Sequence, residues 1–290
     1  MKIYGVFIFL SLFISNAYCD DLDVAISNVR QNCTGISDRL SDLKKMAGIN
    51  TAVTGVGTVA ATGATVVGIV KSSMDKQLQD ILSSIPNTNV LNPNASVVMY
   101  VFDSASDDYD AIKAADLKNK SKLLGNWRTG LTGGAAATNI AGAIIAAKNQ
   151  TNEDLETQID NCKNSIKKLR DTLPQARADG VDTTYANKII DACNDYNYLD
   201  ISPINKRATG AMISSIVGAT TGVTGAVTSA VANTDNNENI QINKNLNTAA
   251  NVLSGGTAIA SATATIFNAT QISAIKKLAT IADKCQEVLK

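Results

Sequence analysis

The stretch TAVTGVGTVAATGATVVGIV, residues 51–70, contains no charged residue, and its threonines recur at steps of three and four. A second set of small and apolar residues recurs at the same helical spacing: Val53, Val56, Ala60, Gly63, Val67 and Val70. This spacing predicts an amphipathic helix, with the valine-containing seam facing other helices and the threonine stripe facing water. Gly, Thr and Val individually favour strands over helices, but alternation at period two is poor here.

Three further segments resemble the first, so that uncharged, small-residue sequence covers residues 49–70, 129–147, 208–234 and 246–275. Small residues stand four apart in the later segments, at Gly130, Gly134, Thr138 and Gly142, at Gly218, Gly222, Ala226 and Ala230, and at Gly256, Ala260 and Ala264. Residues four apart share one face of a helix, and small side chains there allow two helix axes to approach closely. The sequence therefore predicts small-residue helix packing of the glycine-zipper kind.

The two halves of the chain are similar in sequence. VGTVAATGATVVGIV from Val56 resembles VGATTGVTGAVTSAV from Val217, an offset of 161 residues. RTGLTGG, ending at Gly134, resembles NVLSGG, ending at Gly256, an offset of 122. Each offset also carries one cysteine to within one residue of another. We therefore predict a first repeat over 20–178, with an insert at 72–126, and a second repeat over 179–290.

These features together predict an all-α fold, an internally duplicated up-and-down bundle of long helices arranged as two helical hairpins. Pro174 and Gly180 are expected to mark the junction of the repeats, and Asp182 or Thr183 to cap the following helix. Pro203 is expected to kink or break the third long helix. Within the insert, ASVVMYVF over 95–102 fits a short strand or a buried helical turn.

Residues 1–19 have the character of a secretory signal peptide, with Lys2 followed by an apolar run and a small-x-small site ending at Cys19. Export would place the remaining cysteines in an oxidising periplasmic, cell-envelope or secreted environment, where disulfides persist. They are Cys33, Cys162, Cys193 and Cys285.

Sequence alone allows three pairings of these four cysteines. We prefer Cys33 with Cys162 and Cys193 with Cys285, because this pairing keeps each repeat self-contained. The symmetric alternative joins Cys162 to Cys193 and Cys33 to Cys285.

Composition argues against several functions. The chain has no histidine, the commonest general base and metal ligand. No nucleotide-binding, hydrolase or metal-helix motif is present, and the acidic run 103–110 lacks the ligand spacing of a calcium loop. We therefore expect no enzyme activity, cofactor or metal. The 26 basic and 26 acidic residues balance, which gives no electrostatic reason to expect nucleic acid as a partner.

Two functions remain open. In the first, which we favour from the sequence, a soluble bundle serves as an exported, non-enzymatic structural or interaction protein that binds a protein partner or itself. In the second, the uncharged helices insert into a membrane, as a pore or transport accessory, since each is long enough to span a bilayer. The first predicts that Val56→Lys unfolds the protein and that Thr58→Lys is tolerated.

Overall fold

The computed structural model describes residues 21–84, 105–150, 153–234 and 240–290, and these are helical with short turns and no strand. The helices are α1 (21–33), α2 (Ile36–Ser84), α3 (Ala105–Lys148), α4 (Glu153–Ala178), α5 (Thr184–Cys193), α6 (Ser202–Ala232) and α7 (Ile240–Leu289). A 3-10 helix, Asn194–Tyr198, follows α5. The all-α prediction is confirmed. The predicted signal peptide, residues 1–19, and the segment 95–102 lie outside the described residues.

Turn residues separate the helices where the sequence offers them, with one exception. Gly35, at φ 85°, divides α1 from α2, and Gly180, at φ 75°, follows α4. Val181 N–H donates to the carbonyl of Ala176 at 2.9 Å, a C-terminal capping pattern that needs a left-handed residue. Pro174 was expected to mark the junction of the repeats, but it lies inside α4. Pro203 stands in the first turn of α6, where proline is tolerated, so the predicted break lies just before it.

The first helix of the predicted second repeat, α5, begins without a side-chain hydrogen bond from its N-cap residue, Thr183. Asp182 instead accepts a 2.8 Å hydrogen bond from the N–H of Thr184. Hydrogen bonds from the side chain and from the backbone N–H of Thr184 lower the pKa of the Asp182 carboxyl below its ordinary value. Of the two capping candidates, Asp182 is therefore the one that contacts the helix start.

The described parts of the predicted insert, 72–84 and 105–126, are helical. Its first residues, up to Ser84, continue α2, and its last residues, from Ala105, form the beginning of α3. Helical sequence thus extends beyond the uncharged segments into charged sequence on both sides of the segment 85–104. The boundaries 72 and 126 do not coincide with the ends of any helix.

The chain divides into two compact units, each built from segments that are distant in sequence. Unit 1 comprises 1–49, 146–209 and 267–290, and unit 2 comprises 50–145 and 210–266. The chain therefore passes from one unit to the other four times, within α2, α3, α6 and α7. Each unit takes residues from both predicted repeats.

Unit 1 has an apolar core made of leucine, isoleucine, alanine and cysteine. All four cysteines belong to one buried cluster together with Val29, Leu40, Ile166 and Ile189 among others. Tyr196 is also buried there, and burial, with the nearby Asp283 carboxylate, raises the pKa of its hydroxyl. The charged residues of unit 1 are mostly exposed, so this unit has the apolar-inside arrangement of a water-soluble protein.

Two disulfides cross this core. Cys33 is joined to Cys162, with their Cα atoms 4.8 Å apart, and Cys193 to Cys285, with Cα atoms 4.5 Å apart. This is the pairing preferred from the sequence. The first disulfide links the end of α1 to α4, and the second links the end of α5 to α7.

We expect protease fragments of the purified protein to reproduce this pairing. Under non-reducing conditions, one fragment pair should contain Cys33 with Cys162, and a second should contain Cys193 with Cys285. Mass spectrometry before and after reduction measures this directly. A fragment joining Cys162 to Cys193 would show that the alternative pairing forms instead.

Candidate functional site

The interior of unit 2 is polar. Its buried side chains include a charged group, several amides and a series of hydroxyls, all less than 9% exposed: Thr54, Arg128, Thr132, Asn139, Ser215, Ser229, Asn247, Ser254, Thr257 and Ser261. We call this set the polar interior. Alanine and glycine fill most of the remaining inward positions. Such an interior buries little apolar surface, so the hydrophobic effect in water contributes little to holding it together.

The outside of unit 2 is aliphatic. We call its exposed valines and isoleucines the aliphatic exterior, and all four helices contribute to it: Val56, Val59, Val66, Ile69 and Val70 on α2, Ile140 and Ile144 on α3, Ile213, Ile216, Val217, Val223, Val227 and Val231 on α6, and Val252, Ile259 and Ile266 on α7. Val59 is 75% exposed and Ile259 is 72% exposed. Unit 2 therefore has the reverse of the distribution found in unit 1.

The prediction that the valine-containing seam of α2 lies inside is therefore wrong. Val56, in the predicted buried seam, is 61% exposed, whereas Thr54, in the predicted wet stripe, is fully buried. The helical period was correct, but the choice of inner face assumed that the apolar residues turn inward, as they do in water. The polar face of α7 is likewise buried at Ser254, Ser261 and Asn268.

Arg128 is the largest fully buried side chain, and it joins three helices. From α3, its guanidinium donates to the hydroxyl of Ser229 on α6 at 2.8 Å. It also donates to the side-chain oxygens of Asn247 and Asn251 on α7, both at 2.9 Å. Three hydrogen bonds from one planar cation fix the relative positions of α3, α6 and α7 at this level.

A second charged pair lies beside this network. Lys71 on α2, almost fully buried, donates to a carboxylate oxygen of Asp75 at 2.7 Å. The same carboxylate accepts from Asn247 at 3.2 Å and from the hydroxyl of Ser121 on α3. Asn247 thus contacts both Asp75 and Arg128, which makes the two groups one continuous network. Two cations and one carboxylate leave it with a formal charge of +1.

Above the charged network, hydroxyl and amide groups bond across the interior. The hydroxyls of Thr132 and Ser254 lie 3.1 Å apart, and the amide of Asn139 donates to Ser261 at 2.8 Å. Thr265 donates to Thr54 at 3.0 Å. These bonds join α3 to α7 and α2 to α7. These bonds hold the helices together, although Oδ1 of Asn139 and the hydroxyl of Ser215 are buried without a hydrogen-bond partner.

Glycines allow this close approach only at particular positions. A methyl group at Gly222 would come within 2.9 Å of the Ala136 Cβ, and one at Gly218 within 2.7 Å of the Asn139 amide. At Gly130 and Gly134, which were predicted to belong to a packing stripe, a methyl group would meet nothing within 4 Å. The inner track of α6 accordingly runs through Gly218, Gly222 and Gly225 and not through Ala226 and Ala230.

We expect Gly222→Ala to destabilise the protein by about 1–3 kcal/mol, because the added methyl overfills a contact with α3 backbone and side-chain atoms. Gly134→Ala is the matched control, in the middle of α3 with open space around it. There the better helix propensity of alanine should leave stability unchanged or raise it by up to about 1 kcal/mol. Thermal unfolding followed by circular dichroism compares the two. Equal effects would contradict the close approach at Gly222.

Sequence reasoning identified the threonine face of α2 but missed Arg128 and the Lys71–Asp75 pair. A signal for both existed. Arg128 directly precedes the uncharged segment of α3, Lys71 directly follows that of α2, and Asp75 stands four residues after Lys71, the spacing of a helical ion pair. The segment 97–110 of the predicted insert, where the sequence breaks the symmetry of the two halves and suggests a partner contact, lies outside the residues whose side chains are described.

Within the described residues, no three His, Cys, Asp or Glu side chains come together as a metal site would require. Comparison of the chain with protein-family models, curated proteins and solved structures gave no significant match. The function of this protein must therefore be argued from its own residues.

Proposed function

We propose that unit 2 spans a membrane and that the protein is an exported, non-enzymatic membrane component whose disulfide-containing unit 1 stays on the oxidising side. The observation that carries this proposal is the reversed distribution in unit 2, with amides, hydroxyls and a guanidinium inside and valine and isoleucine outside. In a bilayer, polar side chains turn towards the interior of a helix bundle and bond to one another. In water, the same arrangement would expose a large apolar surface.

The lengths of the helices fit a bilayer. By length and composition, three helical stretches are apolar enough to cross one, within Asp21–Ser83, Ile112–Lys148 and Ser202–Ala232. The shortest uncharged segment, 129–147, has 19 residues, which as a helix spans about 28 Å, close to the ~30 Å of a hydrocarbon core. α7 is not among these three stretches, but its uncharged segment, 245–275, contributes residues up to 266 to unit 2.

Lipid accounts for the aliphatic exterior better than a protein partner does. A partner would cover one side of the bundle, and the other helices would then keep their polar or charged outer faces. Exposed valine or isoleucine instead occurs on α2, α3, α6 and α7 alike. An apolar solvent such as lipid, which surrounds the whole bundle, accounts for apolar outer faces on all four helices. Water around the soluble bundle favoured from the sequence does not account for them.

We also infer that unit 2 is built from duplicated hairpins, as the sequence predicts. The buried positions support this inference. On α2 they are 50, 54, 57, 61, 64, 68 and 71, and adding 161 to each gives a buried position on α6. On α3 they include 125, 128, 132, 135, 139 and 142, and adding 122 to each gives a buried position on α7.

Contacts between equivalent positions support the duplication further. Thr132 bonds to Ser254 and Asn139 bonds to Ser261, and both pairs are separated by 122 residues. Residues that are equivalent in two repeats meet in this way along an approximate two-fold axis. We therefore propose that α3 and α7 form the central, pseudo-symmetric pair of the bundle.

The contacts across the polar interior favour an anchoring or assembly role over a pore. Thr54, Asn139 and Ser261 are fully buried and engaged with other side chains. A water-filled path along the axis would require these contacts to separate. The hydrogen bonds of the polar interior thus hold the helices together in lipid, where the hydrophobic effect does not drive helices to associate.

Fractionation of the cells that produce the protein tests the proposal. We expect the protein in the membrane fraction, resistant to carbonate and high salt and released by detergent. Purified protein should also float with vesicles of neutral phosphatidylcholine. Recovery in the soluble fraction, together with failure to float, would reject membrane insertion and return the choice to a soluble bundle.

A further inference from the structure

We propose that one end of the membrane-spanning bundle carries a ring of cations that binds the phosphate groups of anionic lipids on the disulfide-containing side. The ring consists of Lys44 on α2, Lys148 on α3, Lys206 and Arg207 on α6, and Lys276 and Lys277 on α7. All are exposed except Arg207, which is half-buried. The inference rests on the proposed function and adds a class of lipid partner to it.

The position of these residues in the sequence is the first support. Each stands at or next to the end of an uncharged segment: 46–70, 129–147, 208–234 or 245–275. At this end the nearest charged residue on every helix is a cation, and all belong to unit 1. At the opposite ends the nearest charges are Lys71, Arg128, Asp235 and Lys244. Lys71 and Arg128 are buried there in the network that includes Asp75. The two ends therefore differ in that the cations of the ring are exposed or half-buried, whereas two of the cations at the opposite end are buried.

Contacts within unit 1 place three of the four helices at a common level here. Arg207 donates to the carbonyl of Thr270 on α7 at 3.0 Å. Gln271, also on α7, donates to the carbonyl of Asn149, the residue after Lys148, at 3.4 Å. Gln150 donates to Thr209 at 3.2 Å. The cations of α3, α6 and α7 therefore lie within about two helical turns of one another along the bundle.

The acids of unit 1 leave this charge largely uncompensated. Lys45, the remaining cation near the ring, is paired with Asp42 at 3.2 Å and is not counted in it. The acid nearest to Lys44 is Asp42, which is paired with Lys45. On the other helices the next acids along the chain are Glu153 after Lys148, Asp200 before Lys206 and Asp283 after Lys277, each five or six residues away. A cation beside the end of a hydrocarbon-length helix meets the lipid phosphate layer, where anionic headgroups attract it.

The side of the membrane also matters. Loops rich in lysine and arginine normally remain in the cytosol, whereas the disulfides place unit 1 in an oxidising compartment. The ring therefore contradicts the usual orientation signal. The orientation rule does not explain cations on the oxidising side, whereas binding of anionic lipid on that side gives them a function.

Native mass spectrometry of the detergent-purified full chain, with disulfides intact, tests the ring. The probes are phosphatidylserine and phosphatidylcholine with identical acyl chains. We expect the wild type to retain phosphatidylserine preferentially and Lys276→Gln/Lys277→Gln to weaken phosphatidylserine binding about 30-fold, which corresponds to about 1 kcal/mol per lysine. Phosphatidylcholine binding should be unchanged.

The matched control is Lys167→Gln/Lys168→Gln, an adjacent exposed pair in the middle of α4. It should bind phosphatidylserine as the wild type does. Equal binding of the two lipids by the wild type, or equal loss in both variants, would overturn the ring while leaving membrane insertion intact. A chain that stays soluble without detergent and retains neither lipid would overturn both proposals.

Discussion

Val59→Lys is expected to prevent stable membrane insertion. Val59 is 75% exposed on the aliphatic exterior and lies near the centre of the uncharged segment 46–70. A lysine at the centre of a membrane-spanning helix costs about 3 kcal/mol of insertion free energy, which shifts the insertion equilibrium by about 100-fold. Carbonate-resistant membrane recovery and vesicle flotation measure the loss. In water the same change on an exposed surface would be harmless or would improve solubility.

The control for this variant is Val24→Lys. Val24 is 55% exposed on α1, in unit 1, outside any uncharged segment. The chemical change and the exposure are similar, but the proposed environment is water, so insertion should be unaffected. If Val59→Lys and Val24→Lys insert equally well, the aliphatic exterior does not face lipid.

The structure changes the effects expected for the two substitutions that were considered from the sequence alone. Val56→Lys was expected to unfold a soluble bundle, yet Val56 does not face the interior. Thr58→Lys was expected to be tolerated in water, yet the Thr58 hydroxyl lies 3.5 Å from that of Thr265 and is half-buried between helices. We now expect Thr58→Lys to disturb packing and Val56→Lys to disturb insertion. Measuring stability and insertion separately distinguishes them.

How far the sequence could predict the fold depended on the type of signal. Helical period was readable, because Gly, Ala, Thr and Val repeat at steps of three and four in every uncharged segment. The cysteine pairing preferred for self-contained repeats agrees with the disulfides. The inner face was not readable, because period alone does not say whether Thr54 or Val56 turns inward. That choice depends on the solvent, and the sequence was interpreted as if the solvent were water.

The charged network could not be predicted for a different reason. Arg128 and Asn247 are 119 residues apart, and nothing local in either segment indicates that they meet. Single buried cations at the ends of uncharged segments resemble ordinary flanking charges in sequence. Only the packing of α3 against α6 and α7 distinguishes Arg128 from the exposed lysines that precede it.

Arg128→Met is expected to destabilise the folded protein by about 3 kcal/mol. Methionine fills a comparable volume but donates no hydrogen bond, so Ser229, Asn247 and Asn251 lose the donor that connects their helices to α3. Each hydrogen bond to a charged group contributes about 1.5–3 kcal/mol, and relief from burying the guanidinium offsets part of that loss. Unfolding of the detergent-purified protein by increasing SDS, followed by circular dichroism, measures the difference.

Two further variants distinguish the stabilisation that comes from the hydrogen bonds of Arg128 from the stabilisation that comes from its charge. Lys120→Met removes an exposed cation of α3, paired with Asp116 at 2.7 Å, and should cost at most about 1 kcal/mol because water screens the pair. Arg128→Lys keeps the charge but loses the planar fork, so it should fall between Arg128→Met and the wild type. If Arg128→Lys equals the wild type, the buried charge itself and not the three-helix hydrogen bonding stabilises the bundle. If Arg128→Met is as stable as Lys120→Met, α3 is held to α6 and α7 by the small-residue contacts alone, such as that between Gly222 and Ala136.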